Sequence, residues 1–429
     1  MNAIVTITNS RYLLGNIVLH YSLKMNKSNY NLIVLFDNLS DIEINILKSF
    51  NIKLIKCKSI KNPYKNRKNT NFDNVFMKLY CWNMIQYNKI IFVDNDILNL
   101  KNFDHLFKMN IDENKIMACR AKRTETHNLT RINTGFFMIK PSIKIYNELL
   151  KSLRNQIFSF DNADQGFINT FFGENKFLYF EDKYNFPKRR IEDFFDNKKR
   201  DITNLHFVGQ PKPWSNKGEK GYEKLNILWI NKFNECVDKY WKKKLGNELI
   251  ELNKIVYCSN KRVEGNLMYH HNLLQPSKLI WYESELKRHK IFEISKLCKN
   301  ILEIGVNAGH SALIMLKANP NINYYGFDIN YHNYTQKAVN YLKNKFKNVN
   351  YIIGDSEKTI PKFNSSRIQF DLIHIDGGHT VDKARKDIMN CKKHSNKNTI
   401  VVFDDCNLSG SMGPKLLKLW NNLIYLNIK

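Results

Sequence analysis

Three stretches of the chain carry residue types able to do chemistry. In "IIFVDNDILN" (90–99) a run suited to a buried strand ends on Asp94 and Asp96, with Asn95 between them. Carboxylates this close repel unless something positive lies near, and they suit hard divalent ions such as magnesium and manganese. An added imidazole shifts the preference toward manganese, and His206 in "NLHFVGQPKPW" follows another strand-like run. Alone, D-x-D occurs by chance, and His206 reads equally well as a core or surface histidine. The second stretch, "ILEIGVNAGHSA" (301–312), sets Glu303, Gly305 and Gly309 just after a strand. Glycines there permit a tight turn and close approach of a ligand to a helix N-terminus. The third, "FDLIHIDGGHT" with "VVFDDCN", gathers Asp376, His379, Asp404 and Asp405. A hydroxyl is a poor nucleophile until a base or a metal takes or polarises its proton, and these groups are suited to doing so.

The elements that must position these residues alternate between strand and helix in both halves. "AIVTI" (3–7), "LIVLF" (32–36), "IKLIK" (52–56) and "KIIFVD" (89–94) read as short buried strands. Residues 12–25, with Leu14, Ile17, Val18 and Tyr21 at helical spacing, and 74–87 read as helices between them. Such alternation predicts a parallel, helix-covered sheet, with ligands bound beyond the carboxyl ends of its strands. A second alternation begins near 299, with strands in "NILEIGV", "NYYGFDI", "NYIIGD", "FDLIHIDG" and "NTIVVFDD" and helices over 309–318 and 335–346. The intervening 246–298 is polar and helix-prone. The expected organisation is therefore two α/β domains, 1–247 and 248–429.

Composition narrows the function classes. A 429-residue chain with 43% hydrophobic residues has enough apolar material for two cores. No apolar run reaches the length of a membrane span, and "MNAIVTITNS" lacks the basic and apolar regions of a signal peptide. Eight scattered cysteines without a CxxC pair read as reduced thiols in a cytoplasmic compartment. The formal charge of +27 raises the question of nucleic acid. Lysine, asparagine and isoleucine abound throughout, though, and clusters such as 61–69, 197–200 and 241–246 read as solvated faces. The charge is expected to attract anionic nucleotide donors.

Residues 1 to about 243 resemble the glycogenin-like members of glycosyltransferase family 8. The resemblance rests on five ordered segments: "VTITNSRYLLGNIVLHYSL", "MKLYCWNMIQYNKIIFVDNDIL", "INTGFFMIKPS", "SFDNADQGFINTFF" and "LHFVGQPKPW". It implies a GT-A nucleotide-sugar-binding fold and retaining transfer of a sugar from a UDP-sugar. By that likeness Asp94, Asp96 and His206 would hold Mn2+ against the donor diphosphate, with Asn95 beside them. Thr8, Asn9 and Tyr12 would line the uridine end, and Asp94 would also lie near the ribose. Lys78 and Lys212 would face the phosphates or the donor sugar, with Lys212 acting in catalysis, and Gly209 would let the backbone approach. Asn133, Asp161, Asp164 and Gln165 would surround the sugar, and Asp164 could stabilise its cationic form. Self-glucosylating relatives carry their acceptor tyrosine between the DQG and histidine segments. Here no tyrosine occurs from 185 to 221, so an external glycan or glycoprotein acceptor is expected.

The glycine turn is followed by Asp328 in "YYGFDIN", placed for ribose hydroxyls, and Asp355 in "IIGDSE", placed for an adenine edge. A dinucleotide site is the alternative, but the spacing is not GxGxxG. In this order the segments resemble the class I S-adenosylmethionine-dependent methyltransferases, whose domain is Rossmann-like. "FDLIHIDGGHT" and "VVFDDCN" resemble, more narrowly, the metal-dependent sugar O-methyltransferases. That likeness implies Asp376, Asp404 and Asp405 as Mg2+ ligands, Asp376 beside the cofactor, and His379 as base. The N/D-P-P-Y/F signature of base-amino methyltransferases is absent. Relatives usually add two strands after the acid pair, and from 406 on the sequence offers a helix and little else, so those strands are expected to be missing.

Together these readings predict a bifunctional glycan-building enzyme, joining sugar transfer to O-methylation of a sugar. Two alternatives stay open: a glycosyltransferase carrying a non-catalytic methyltransferase-like module, and a nucleic-acid methyltransferase with a basic accessory domain. Fusions of this kind resemble those of large DNA viruses, and the composition fits that source. The donor sugar, the acceptor, the methylated oxygen and the oligomeric state are not encoded in these motifs.

Overall fold

A computed structural model of the chain describes residues 1–64, 74–121, 130–190, 192, 201–215, 221–259, 267–269, 284–363, 368–378, 380–406 and 412–425. His379 lies outside the described residues. The chain divides into two compact units, Met1–Cys236 and Val237–Lys429. A helix, Glu223–Leu245, carries the chain across that division.

The first unit contains β1 (Asn2–Thr8), β2 (Leu32–Phe36), β3 (Lys53–Lys56), β4 (Lys89–Val93), β5 (Ile97–Asn99), β6 (Ile116–Arg120), β7 (Ile132–Ile139), β8 (Phe177–Phe180), β9 (Phe186–Pro187) and β10 (Asn204–His206). Its main sheet runs β3-β2-β1-β4-β7-β6-β8, and a small sheet runs β5-β10-β9. Every residue of β2 is buried, as its unbroken apolar run requires of a strand covered on both faces. The parallel expectation holds for β3, β2, β1 and β4 and fails beyond them, because β7 pairs antiparallel with β4 and with β6. The cause lies in the chain path: after β4 it leaves for the small sheet through β5.

Two expected helices differ in detail. Over 12–25 the chain forms a 3-10 turn, Ser10–Tyr12, capped by the Asn9 side chain, and then the helix Leu13–Met25. Over 74–87 it forms a 3-10 segment, Val75–Leu79, and one helical turn, Tyr80–Asn83. Phe76, Met77, Lys78, Leu79, Cys81 and Trp82 are all buried there. A segment buried on nearly every side has no solvent face on which to build a long amphipathic helix.

The second unit contains β11 (Asn300–Ile304), β12 (Asn323–Asp328), β13 (Val349–Ile353), β14 (Leu372–Ile375) and β15 (Ile400–Phe403). They form one parallel sheet ordered β13-β12-β11-β14-β15. The order reverses between β11 and β14, and ligands of such sheets bind at that reversal. Leu302, Ile304, Phe327, Ile373 and Ile375 form its core with Ile388, Leu416 and Leu419 from covering helices.

Candidate active sites

The D-N-D turn joins the two sheets of the first unit. Asp94 follows β4 and donates its N–H to the Gly135 carbonyl on β7 at 2.7 Å, while Asp96 leads into β5. Asn95 donates its amide to the Ile7 carbonyl at 2.8 Å, tying the turn to the end of β1. His206, the last residue of β10, pairs with Ile97 across the small sheet, which brings it onto the acids. Its Nε2 lies 3.1 Å from Asp96 Oδ1 and 3.8 Å from Asp94 Oδ2. One atom from each of the three lies within 4.8 Å of the others.

The histidine is aimed by Asn185 and Gly135, which the sequence did not mark. Its Nδ1–H donates to Asn185 Oδ1 at 2.7 Å, and Asn185 donates in turn to Asn133 Oδ1 at 2.7 Å. An amide oxygen only accepts, so Nδ1 carries a proton and Nε2 faces the acids. Gly135 makes room for the ring: a Cβ there would stand 2.4 Å from His206 Cε1. Two carboxylates and an imidazole held in this way fit a divalent metal ion.

Two buried lysines offset the charge of the acids. Lys78 lies 3.1 Å from Asp94 Oδ1 and 2.9 Å from Asp164 Oδ2, and Lys212 pairs with Asp96. Burial draws the Lys78 ammonium down, but Asp164 and Asp94 overcome that and hold it above the lysine range. Burial likewise opposes charge on Lys212, and Asp96 outweighs it. The Asp94 carboxyl is pushed up by burial, against Lys78. Burial would push Asp96 the same way, yet Lys212 and His206 hold it well below the usual carboxylate range.

A cavity of about 460 Å³ brings all of the expected donor residues together. Thr8, Asn9 and Tyr12 form one end, where Tyr12 packs edge-on to Trp214 and accepts from Gln210 Nε2 at 3.2 Å. Gly209 and Lys212 line the wall beside the acids. Asn133, Asp161, Asp164 and Gln165 line the other end. Asp161 also shapes the backbone there, since its Oδ1 accepts from Ser159 Oγ, Ala163 N and Gly166 N at the start of the helix Asp164–Phe172. Asp164 Oδ2 is fixed by the Thr134 hydroxyl at 2.7 Å. A smaller cavity shares Asn133, Gln165 and His206 and adds Arg120, Arg189 and Arg190, which no motif marked.

In the second unit a cavity of about 310 Å³ opens where the strand order reverses, lined by Gly305, Asn307, Asp328, Asp355 and Asp376. Gly305 has φ +87°, and a Cβ would stand 1.9 Å from the Asp376 carbonyl, so only glycine fits. Asp328 at the end of β12 accepts from the N–H groups of Asn307 (2.9 Å) and Asn330 (2.6 Å). Asp355 caps the helix Ser356–Lys362. The size and the acids at two strand ends fit a nucleoside-bearing cofactor.

Three of the expected residues stand apart from the cavity lining. Glu303 does not line the cavity: it is fully buried, and its oxygens are taken by Tyr324 and His374. Gly309, at φ +75°, packs against Leu342 instead of lining the cavity. Asp405 adopts φ +65° and lies near enough to Asp376 and Lys287 for its charge to act on both, while the grouping within 4.8 Å is His374, Asp376 and Asp404.

Among the described residues, no helix is long and apolar enough to cross a membrane. Residues 3–218, half of the chain, match the family described as glycosyl transferase family 8, and residues 302–406 match one described as a methyltransferase domain. Human glycogenin-1 is 31% identical over 228 residues, covering 50% of this chain and 62% of that protein. UDP-glucuronate:xylan alpha-glucuronosyltransferase 2 of Arabidopsis thaliana is 30% identical over 217 residues, 49% of this chain and 33% of that protein. A protein of Acanthamoeba polyphaga mimivirus is 27% identical over 228 residues, 48% of this chain and 79% of that protein. The chain thus spans less than two thirds of glycogenin-1 and of the plant enzyme. The mixed sheet of the first unit is the GT-A glycosyltransferase fold, and the parallel sheet of the second is the methyltransferase fold. The chain belongs to glycosyl transferase family 8 through its N-terminal half and carries a methyltransferase domain in its C-terminal half.

Proposed function

We propose that the N-terminal half transfers a sugar from a UDP-sugar to an external acceptor, with retention, using a divalent ion held by Asp94, Asp96 and His206. The observation that carries this reading is the convergence of those three side chains within 4.8 Å in one cavity. The ion would supply positive charge against the departing diphosphate without donating a proton. Lys212 and Lys78 add fixed ammonium groups that need not reorganise as charge develops. Asp164, oriented by Thr134 and Lys78, faces the sugar end and stabilises positive charge there. The tyrosine-free stretch from 185 to 221 supports an external acceptor.

For the C-terminal half the reading is S-adenosylmethionine-dependent O-methylation of a sugar. Gly305, Asp328 and Asp355 would hold the cofactor, which supplies the methyl group. Asp376 stands where the cofactor cavity and the acid cluster meet, a fitting place to orient a hydroxyl. Tethering both halves would keep the product of one near the other. The test is a panel of UDP-sugars scored for slow hydrolysis with manganese, run beside calorimetry with S-adenosylmethionine. Turnover of at least one UDP-sugar and binding of the cofactor are expected. Failure of the first refutes the sugar-transfer reading, and failure of the second reduces the C-terminal half to an inactive module.

A further inference from the structure

The acid cluster of the second unit contains an imidazole that no motif assigned. His374 and Asp376 are two residues apart along β14 and just beyond it, so both side chains fall on one face. Ile375 pairs with Phe403 on β15, and the Asp404 N–H donates to the Ile375 carbonyl at 2.9 Å, which sets Asp404 beside Asp376. One atom each from His374, Asp376 and Asp404 lies within 4.8 Å of the others.

The imidazole is held from behind. Glu303 on β11 pairs directly with His374, and its Oε1 lies 2.8 Å from Nδ1. Its Oε2 accepts from the Tyr324 hydroxyl on β12. Tyr324 reaches across because position 326, opposite Glu303, is glycine: a Cβ there would stand 3.1 Å from the hydroxyl. All three side chains are buried. With Nδ1 committed to a carboxylate, Nε2 is the nitrogen left for the acids, and it is buried without a hydrogen-bond partner. A buried, unpartnered ring nitrogen next to two carboxylates is a costly arrangement that a cation held among them would relieve. Lys287 pairs with Asp404 and brings positive charge to the same place.

We infer that His374, Asp376 and Asp404 form a transition-metal site, with Glu303 and Tyr324 positioning the imidazole and Lys287 competing for Asp404. Its donor set, two carboxylates and one imidazole, repeats that of Asp94, Asp96 and His206. A nitrogen ligand favours manganese-class ions over magnesium. The inference rests on the methyltransferase reading only in placing the ion beside the cofactor cavity; ion binding itself requires neither substrate.

The test counts Mn2+ bound to the full chain by electron paramagnetic resonance, with no UDP-sugar or S-adenosylmethionine present. The wild type should bind two ions, and Asp94→Asn with Asp96→Asn should bind one. That remaining ion should show nitrogen modulation of the electron spin echo and should withstand excess Mg2+. Glu303→Gln should weaken it roughly 10- to 100-fold; Lys287→Met should tighten it, and Asp405→Asn should leave it in place. In the otherwise unchanged chain, His374→Gln should lower the count from two to one. The inference is overturned if the double variant binds no ion, if its ion shows no nitrogen coupling, or if Mg2+ displaces it readily. Any of those results leaves the sugar-transfer reading standing, because that reading depends on the other ion.

Discussion

Replacing Lys78 with methionine removes the ammonium that the buried Asp164 and the half-buried Asp94 share. Its Nζ lies 3.1 Å from Asp94 and 2.9 Å from Asp164, and the lysine and Asp164 side chains are 5% and 7% exposed. Methionine preserves most of the volume, so packing is spared and the charge effect is isolated. Breaking a buried pair by removing one partner costs about 3–5 kcal/mol, because the other charge stays buried. Urea unfolding at pH 8 should show a loss of that size in the transition that the substitution moves. The sign of the pH dependence follows from the acids. Without Lys78 the folded carboxyl of Asp94, already pushed up by burial, rises further above its unfolded value. An acid with a raised folded pKa costs stability above that pKa and gives it back as pH falls, so the penalty should shrink between pH 8 and pH 5. Adding Asp164→Asn to Lys78→Met should restore about 1 kcal/mol or more. A loss under about 1 kcal/mol, equal at both pH values, would refute the reasoning.

Gly135→Ala should push the His206 ring aside and weaken manganese-dependent UDP binding about 10- to 100-fold, with little change in circular dichroism; calorimetry would check it. Burial raises the Asp387 carboxyl to about 6, so the wild type should lose about 1 kcal/mol of stability between pH 5 and 8 through this group, and Asp387→Asn should flatten that slope in urea titrations. After incubation with UDP-glucose and manganese, peptide mass mapping should find no hexose on residues 185–221, which contain no tyrosine.

The parts of this molecule legible in the sequence are those fixed by short-range rules. Strands β1, β2 and β4, the acids after β4, and the glycine turn after β11 follow from apolar runs and from the residue types that end them. The antiparallel β7 is not legible, because strand direction depends on a path through a second sheet, which leaves no local periodicity. Asn185 escapes because a residue that orients a histidine needs only one amide oxygen at the right distance, and asparagine is abundant throughout this chain. His374 is open to view in "LIHIDGG", where H-x-D mirrors D-x-D, but its importance depends on Glu303 pairing with it from a neighbouring strand. Adjacency marks Asp405 as a ligand, and the left-handed backbone it adopts there is announced by no local pattern.

The most direct measurement is the affinity of the full chain for UDP, titrated calorimetrically with manganese and again with excess chelator. Tight binding in manganese, at least tenfold weaker in chelator and equally weak in Asp96→Asn with manganese present, is the expected outcome. Equal affinity with and without the metal, or an undiminished Asp96→Asn, would contradict the account.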